Sequence, residues 1–317
     1  MEDYPRTITE FETRFNTEDA CFRYVESIRW PEGFKCPSCE HNVARQTKRG
    51  LYQCKKCRRQ TSITAGTIFH DSRKPMVLWF EAMWHITSQK FGANALGLQR
   101  VLSLGSYHTA WKWLHKLRRV MVRPDREKLR GIVEVDETYI GGERPGKRGR
   151  GAENKTLVMI AVEDTSSTES HGKGIGRIRL GRIDDASSNS LIEFIKTHIA
   201  SGSTIRTDGW LGYEPLVKAG YKHSVVGSRD LTIAHLVAAL LKRWLLGTYQ
   251  GAVTQNHLEY YLDEYTFRFN RRKSASRGKL FYRLVQQAVI ADPVLGSDIT
   301  GGQHRKTSSE IHDPPLH

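Results

Sequence analysis

Four of the five cysteines in this 317-residue sequence form two matched pairs, which constrains the fold more than any other feature. Cys36 and Cys39 make one C-x-x-C motif, Cys54 and Cys57 make a second, and 14 residues separate the pairs. Two tight turns that each present a pair of thiolates are typical of a tetrahedral Zn²⁺ site. Because four sulfurs leave no open coordination position, the sequence predicts a structural zinc ribbon over residues 31–68. A redox dithiol is the alternative, and the second matched pair disfavours it.

The sequence is also strongly basic, with 49 lysines and arginines against 34 acidic residues and a net charge of +15. This excess indicates a polyanionic partner, because each cation placed on a phosphate releases a condensed counterion. Basic residues flank Tyr52 in the ribbon, which favours phosphate contact there over a merely solvated face. No apolar stretch reaches the roughly 18 residues of a membrane helix, and the first residues lack the layout of a secretory signal. We therefore expect a cytoplasmic protein with no membrane partner.

Shifts in composition divide the chain into five predicted segments. The first is helical, because Phe11, Phe15 and Phe22 fall at spacings that can share one helical face. The segments are a helical lead-in (1–30), the zinc ribbon (31–68), a helical segment (72–125), an α/β domain (130–291) and a flexible tail (292–317).

The helical segment contains an amphipathic helix that follows a turn with a glycine at position 105. This arrangement resembles the second helix of a helix-turn-helix unit, whose polar side enters a DNA groove. A plain amphipathic helix that docks on the following domain explains the same stripe and remains the alternative. The apolar side carries Trp111, Leu114 and Leu117, and the polar remainder carries Lys112, His115, Lys116, Arg118 and Arg119.

From residue 130 onward, three strands joined by short loops precede strands that alternate with helices. This order predicts a mixed sheet with flanking helices, and it matches the ribonuclease-H-like fold. The predicted class is therefore α/β, a ribonuclease-H-like mixed sheet preceded by a zinc ribbon and a helix-turn-helix-like segment. The predicted strands are 132–140, 156–162, 176–183, 204–207 and 221–226, and the predicted helices are 188–200, 213–219, 230–246, 254–270 and 279–291.

Two aspartates stand where such a sheet would bring carboxylates together. Asp136 lies within the first predicted strand, on the same face as Glu134, and a carboxylate there is costly to bury unless it is paired or binds a metal. Asp208 follows the fourth strand, where loops often hold functional groups. Each is a weak signal alone, but a ribonuclease-H-like sheet places these two positions side by side. Paired aspartates can bridge Mg²⁺ or Mn²⁺, which prefer oxygen ligands.

Four motifs resemble those of the insertion-sequence DDE-type transposases of the ISXO-like group. The similarity spans roughly residues 15–290, and that group also has an N-terminal zinc ribbon. It implies that Asp136 and Asp208 are the first two acidic metal ligands of a ribonuclease-H-like catalytic domain. The motifs are VDETYIGG (135–142), TDGWLGY (207–213), LKRWLLGT (241–248) and YLDEYTFRFNRR (261–272).

The resemblance further implies a third ligand, seven residues before a lysine on the following helix. Lys242 places this ligand at His235, where the common transposase pattern has glutamate. Seven residues are nearly two helical turns, so both side chains share a face. Imidazole is a poorer ligand for Mg²⁺ than for Mn²⁺. Three alternatives remain: His235 positions water or substrate, it is a core histidine, or Glu264 is the third carboxylate.

The same resemblance implies contacts with DNA phosphates near the end of the transposon. A basic loop over 144–150 could also follow the backbone, and its glycine spacing does not fit a P-loop, so we expect no nucleotide cofactor. The predicted DNA-binding residues are Lys242, Arg243, Arg268, Arg271, Arg272, Lys112 and Lys116.

These inferences predict a DNA transposase that cleaves the ends of an insertion sequence and transfers the strand, with structural Zn²⁺ and catalytic Mg²⁺ or Mn²⁺. Its expected partners are double-stranded DNA with terminal inverted repeats and a target DNA, bound by a homodimer in the bacterial cytosol or nucleoid. Two alternatives stay open. One is an inactive or repurposed zinc-ribbon DNA-binding protein, and the other is a simple ribonuclease-H-like nuclease that never joins ends.

Overall fold

In a computed structural model, the chain folds into two compact units. The basic loop predicted over 144–150 and most of the predicted tail lie outside the residues that the structure describes. The described residues are 2–123, 125–141, 155–166, 174–250 and 253–302. The first unit comprises Met1–Met121 with Ser274–Thr300, and the second comprises Val122–Lys273 with Gly301–His317.

Helices and strands of the described residues are numbered in chain order. The helices are α1 (Ile8–Arg14), α2 (Glu18–Arg29), α3 (Met76–Ser88), α4 (Ala95–Val101), α5 (Tyr107–Arg119), α6 (Ser188–His198), α7 (Thr232–Tyr249), α8 (Leu258–Asn270), α9 (Arg277–Ile290) and α10 (Gly296–Thr300). The strands are β1 (Ala44–Gln46), β2 (Tyr52–Cys54), β3 (Gln60–Thr61), β4 (Ile132–Ile140), β5 (Thr156–Asp164), β6 (Ile175–Ile183), β7 (Thr204–Thr207) and β8 (Lys222–Val225). None of these helices combines the length and the apolar character that crossing a membrane requires.

The division into units differs from the predicted domain boundary at residue 291. The continuous part of the unit that contains the large sheet ends at Lys273, and α9 instead packs against α2 and α3 of the first unit. Buried Phe281 of α9 contacts the ring of Phe11 edge-on, at a centroid distance of 5.3 Å. Part of the predicted tail is also ordered, because α10 buries Ile299.

The helical lead-in consists of two helices rather than one continuous face. Thr7 and Thr17 cap the N-termini of α1 and α2 with their side-chain oxygens, which accept hydrogen bonds from the backbone. The break between these helices changes the direction of the later side chains. Phe15 is buried as predicted, whereas Phe22 remains 36% exposed.

Helix α5 follows α4 after a short turn, and the two helices pack together as a helix-turn-helix-like pair. The predicted division of α5 into an apolar and a polar side is wrong at three positions. Trp113, rather than Trp111, is buried, and its ring stacks on Trp79 of α3 at 4.0 Å. His115 and Arg118, predicted on the polar side, are also buried. Leu114 and Leu117 are buried as predicted. The buried side of α5 thus belongs to the core of the first unit.

The second unit is built on a five-stranded sheet in the order β6-β5-β4-β7-β8. In this sheet, β4, β5 and β6 are antiparallel neighbours, whereas β7 and β8 run parallel to β4. This mixed sheet with flanking helices confirms the predicted α/β fold class. The region predicted as a helix over 213–219 is a 3₁₀ segment, Leu211–Leu216, which contains Pro215. Proline lacks the N–H group that a continuing α-helix requires.

Strand β4 directs its side chains to two covered faces. Glu134 and Asp136 lie opposite Val162 and Ile160 of β5, so they share the face on which α7 and α8 pack. Val135 points to the other face, which α6 covers. The predicted placement of Glu134 and Asp136 on one face is therefore confirmed. This register brings two carboxylates of a central strand against α7.

Candidate functional site

The four paired cysteines converge on one point of the ribbon. Their sulfur atoms all lie within 4.8 Å of one another, and the Cys36–Cys57 and Cys39–Cys54 sulfur pairs are 3.6 Å apart. In each motif the residue after the second cysteine adopts a left-handed backbone, with φ of 58° at Glu40 and 64° at Arg58. The two turns therefore have the same geometry. Four convergent sulfurs match the donor set of a structural Zn²⁺ site.

The electrostatics of these sulfurs also fit a cation. Desolvation raises the pKa of Cys36, but hydrogen bonds from the backbone N–H groups of Ser38 and Cys39 outweigh it and lower that pKa to about 6. A backbone hydrogen bond from Arg59 lowers the pKa of Cys57, yet the neighbouring thiols raise it to about 11. The sulfurs therefore compete for negative charge, and Zn²⁺ would remove this competition.

The basic residues of the ribbon are exposed, as a phosphate-binding surface requires. Tyr52 is not part of that surface, because its ring stacks on Phe34 and contacts Trp30 edge-on at 4.9 Å. The ribbon therefore offers charge rather than an aromatic platform. The exposed cations are Lys48, Arg49, Lys55, Lys56, Arg58 and Arg59.

In the second unit, β4 and β7 pair in parallel toward the two predicted aspartates. Ile132 pairs with Thr204 and Glu134 with Arg206, two residues before Asp136 and Asp208, respectively. The negative charge of Asp208 raises the pKa of Asp136, so the two carboxyl groups lie near each other. The Oδ1 atom of Asp208 accepts a hydrogen bond from the backbone N–H of Trp210 at 3.1 Å.

Helix α7 places His235 directly over Asp136. The His235 Nε2 atom lies 3.2 Å from the Asp136 Oδ2 atom, with side chains 44% and 16% exposed, respectively. The buried residues of α7, such as Val237 and Leu241, are on the other side of the helix. An exposure of 44% does not fit a core histidine. Lys242 is also exposed, in agreement with the predicted common face.

Asp136 is under electrostatic strain that a cation would relieve. Burial, together with the negative charges of Glu137 and Asp208, raises its pKa to about 6, against the opposing effect of His235. A largely buried carboxyl group near other carboxylates is costly to ionise unless a positive charge compensates. Two carboxylates and an imidazole are a donor set that suits Mn²⁺ and accepts Mg²⁺.

The structure brings the three predicted residues together unequally. Asp136 contacts His235, whereas Asp208 acts on Asp136 through its charge. Within the described ranges, the four cysteines are the one group of three or more ligand-type side chains whose donor atoms converge on a metal position. Glu264, the rival third carboxylate, is fully buried and accepts hydrogen bonds from Arg268 and Tyr249.

A carboxylate that the motifs did not single out holds the N-terminus of α7. The Glu134 Oε2 atom accepts hydrogen bonds from the backbone N–H groups of Ile233 and Ala234, both at 2.9 Å. Residue Leu231, at the N-cap, supplies no side-chain acceptor. A glutamate on a buried strand face is the sequence signal that could have indicated this contact. Asp230 and Thr232, on either side of Leu231, conceal from the sequence that the N-cap position itself has no acceptor.

The predicted DNA-binding residues fall into two groups. Lys242 and Arg243 are exposed on α7, whereas Arg268 is 12% exposed and forms a salt bridge of 2.8 Å with Glu264. Arg271 and Arg272 lie over the rings of the nearby phenylalanines of α8 at about 4 Å. In the first unit, Lys112 and Lys116 are half-buried. Burial, followed by the charge of Lys112, lowers the pKa of Lys116.

Comparison with known families agrees with a zinc ribbon followed by an α/β sheet. Residues 16–60 match the transposase zinc-ribbon domain, and residues 128–270 match the ISXO2-like transposase domain. These matches confirm the resemblance to DDE-type transposases of the ISXO-like group. The sheet-bearing part of the chain is therefore similar to the ISXO2-like transposase domain.

A relative from Halobacterium salinarum is similar to this chain over most of the length of both proteins. The chain is similar to the "Uncharacterized protein in transposable element ISH50" of Halobacterium salinarum, with 27% identity over 283 residues. The match covers 80% of this chain and 91% of that protein. The relative's name associates it with a mobile element, which agrees with both family matches.

Proposed function

We propose that this chain is a DNA transposase that cleaves the ends of an insertion sequence and joins the freed ends to a target DNA. The observation that carries this proposal is the contact between Asp136 and His235, at the level of the sheet where Asp208 follows β7. The transposase family matches support the coarser part of it. Cleavage, strand transfer and the need for a divalent metal are the parts that experiment must test.

Asp136, Asp208 and His235 are the residues that would hold Mg²⁺ or Mn²⁺. A bound metal would polarise the phosphate and stabilise both the attacking and the leaving oxygen. The charge on Asp136 makes the pocket attractive for a cation above about pH 6, where its carboxyl is ionised. His235 holds the Asp136 Oδ2 atom through its Nε2 atom, and it supplies a donor where many transposases have a carboxylate.

The proposed reaction consists of two phosphoryl transfers. Water first attacks a phosphodiester at the transposon end, and the 3′ oxygen leaves as a hydroxyl. That 3′-hydroxyl then attacks a phosphodiester of the target, so that one phosphodiester bond forms as another breaks. No protein nucleophile takes part in this scheme.

The DNA partner accounts for the distribution of basic charge. The exposed cations of the ribbon and the exposed Lys242 and Arg243 would contact phosphates, and the helix-turn-helix-like pair of α4 and α5 would dock in a groove. The expected substrates are terminal inverted repeats and target DNA. Because two ends must be joined, we propose a homodimer on DNA. We further propose action in the cytosol or nucleoid, without a nucleotide cofactor.

Cleavage and joining assays on DNA that carries both ends of the element test this function. The wild-type protein should cut and join with Mg²⁺ or Mn²⁺, and the Asp136→Ala and Asp208→Ala variants should bind the DNA but fail in both steps. Wild-type-like strand transfer by either variant would rule out the mechanism. Cutting without joining would indicate a simple nuclease, and binding without cutting would indicate a repurposed DNA-binding protein.

The His235→Ala variant tests the substituted ligand separately. If His235 contributes to the metal site, the variant should lose activity, and the ratio of its Mn²⁺ to Mg²⁺ activity should fall, because imidazole favours the softer ion. Full activity of this variant in both metals would reduce His235 to a surface residue of α7. Lys155→Ala, a change elsewhere in the same unit, is the control.

A further inference from the structure

Glu134 joins the central strand of the sheet to the helix that carries His235. Its side chain is 2% exposed, and its Oε2 atom accepts hydrogen bonds from Ile233 and Ala234, the second and third residues of α7. These are two of the backbone donors that a helix leaves without partners in its own first turn. The carboxylate also carries the charge that the positive end of a helix favours.

The contact fixes the position of His235 relative to Asp136. Glu134 and Asp136 are two residues apart on the same face of β4, which corresponds to about 6–7 Å along the strand. His235 directly follows Ala234, one of the two donors to Glu134. Strand β4 therefore holds the first turn of α7 through Glu134, and it also presents Asp136 to His235, the residue that follows Ala234.

The N-cap residue of α7, Leu231, has no side-chain acceptor and makes no capping hydrogen bond. A displacement of α7 would leave a buried carboxylate without these donors, which is strongly unfavourable. The carboxylate therefore restricts the helix to one position. Glu134 on β4 thus caps α7, as a Ser or Asp at the N-cap position does in many other helices.

On this basis, we propose that Glu134 is a positioning residue that holds α7 so that His235 and Asp136 converge on the metal. The inference rests on the proposed function for its catalytic meaning. In this proposal Glu134 acts through the backbone of α7 rather than as a ligand of DNA or metal. Its effect is separable from catalysis, because the position of a helix can be measured without any substrate.

Hydrogen exchange and Mn²⁺ binding by the full chain test the proposal. In Glu134→Ala, the backbone amides over 232–236 should exchange several-fold faster than in the wild type. Mn²⁺ affinity, measured by electron paramagnetic resonance without DNA, should fall by about 10- to 100-fold, as for other residues that orient metal ligands. Glu134→Gln keeps an oxygen acceptor at the same reach and should retain most of both properties.

Two further variants separate positioning from stability and from charge. Glu163→Ala is the matched control, because Glu163 is a buried glutamate of β5 that accepts backbone hydrogen bonds from Arg130 and Arg177 on the other face of the sheet. The Glu163→Ala variant should change neither the amide exchange over 232–236 nor the Mn²⁺ affinity. Glu134→Asp keeps the charge but shortens the reach, so it should behave worse than Glu134→Gln. This comparison decides the question if the alanine variant does not fold.

Unchanged amide exchange in Glu134→Ala, or an equal effect in Glu163→Ala, would overturn the proposal. Better retention in Glu134→Asp than in Glu134→Gln would also overturn it, since charge alone would then be sufficient. Failure of the proposed function has a different signature: the wild type would neither bind Mn²⁺ at this site nor cleave DNA. In that case, the exchange data would still decide whether Glu134 holds α7.

Discussion

Asp136 is a residue whose ionisation opposes folding and which we propose to be a metal ligand. Its carboxyl lies on a central strand, 16% exposed, beside other negative charges. Its pKa is raised from 3.8 to about 6, chiefly by burial. A position at which the folded chain resists ionisation is expected at a functional site, where stability is exchanged for reactivity.

The Asp136→Asn variant should be more stable than the wild type at pH 8 when no Mg²⁺ or Mn²⁺ is added. Because the folded pKa lies above the unfolded one, the folded state binds the proton more tightly, and stability is lost as pH rises from about 4 through 6. The amide removes this loss, which corresponds to about 2–3 kcal/mol at most. Urea unfolding at pH 8 and pH 5 measures the gain, which should shrink at the lower pH.

The Asp164→Asn variant is the control with the opposite sign. Desolvation raises the pKa of Asp164, but hydrogen bonds from Ser166 and the charge of Arg206 outweigh it, so that pKa is lowered. The Asp164 carboxylate lies 2.8 Å from Arg206. Its replacement should therefore destabilise the protein at pH 8. Equal loss of stability in the Asp136 and Asp164 variants would contradict our description of the Asp136 environment.

The pH dependence of cleavage should follow the same group. Protonation of Asp136 neutralises a proposed metal ligand, so activity should fall as the pH decreases through about 6. Saturating Mn²⁺ should shift the fall to lower pH, because the metal competes with the proton. A pH–rate profile at two Mn²⁺ concentrations measures this effect. An acid limb that does not move with Mn²⁺ would contradict the assignment.

At the scale of elements, the sequence predicts strands and their faces better than it predicts contacts between elements. Alternation along β4 placed Glu134 and Asp136 on one face, as observed. The contact of Glu134 with α7 joins residues about 100 positions apart, and no local pattern encodes it. The stripe of α5 was misplaced at Trp111 because periodicity alone did not distinguish it from Trp113, which stacks on α3.

Basic residues of α7 and α8 should differ in their effects on DNA binding. Lys242→Ala should reduce the salt dependence of DNA affinity by about one phosphate contact, because this side chain is exposed. Arg268→Ala should leave the slope unchanged and destabilise the second unit by about 3–5 kcal/mol, since Glu264 would remain buried without its charged partner. Binding isotherms at several salt concentrations and urea unfolding test the pair.

A reversed result would overturn this division of roles. If Arg268→Ala lowered the salt slope while the protein remained fully stable, Arg268 would contact phosphate rather than support α8. The prediction that Arg268, Arg271 and Arg272 all bind DNA would then be supported. Lys242→Ala with an unchanged slope would remove α7 from the DNA-binding surface.

For the whole molecule, the order of segments along the chain differs from their grouping in space. The zinc ribbon and the mixed sheet were predicted because cysteine spacing and strand alternation are local signals. The return of α9 to the first unit was missed, because only its packing distinguishes it from the preceding α8. Its buried Phe281 completes a cluster of aromatic rings that begins near the other end of the sequence.

Truncation after Lys273 should therefore damage the first unit, although the deleted residues follow the sheet-bearing part of the second unit in the sequence. Removal of α9 exposes the rings of Phe11, Phe80 and their neighbours, which contact Phe281. Loss of one such buried aromatic side chain costs about 3–5 kcal/mol. Limited proteolysis should cleave the first unit rapidly and leave the second intact. Equal resistance in the full and truncated chains would contradict the grouping.

The central claim is that Asp136, Asp208 and His235 form one cation site, and anomalous diffraction from crystals grown with Mn²⁺ tests it most directly. We predict a Mn²⁺ peak within about 2.0–2.4 Å of carboxylate oxygens from both aspartates, with the His235 imidazole as a further ligand. The peak should vanish in Asp136→Asn crystals. Full Mn²⁺ occupancy elsewhere, with the oxygens of Asp136 and Asp208 too far apart to share an ion, would contradict the claim.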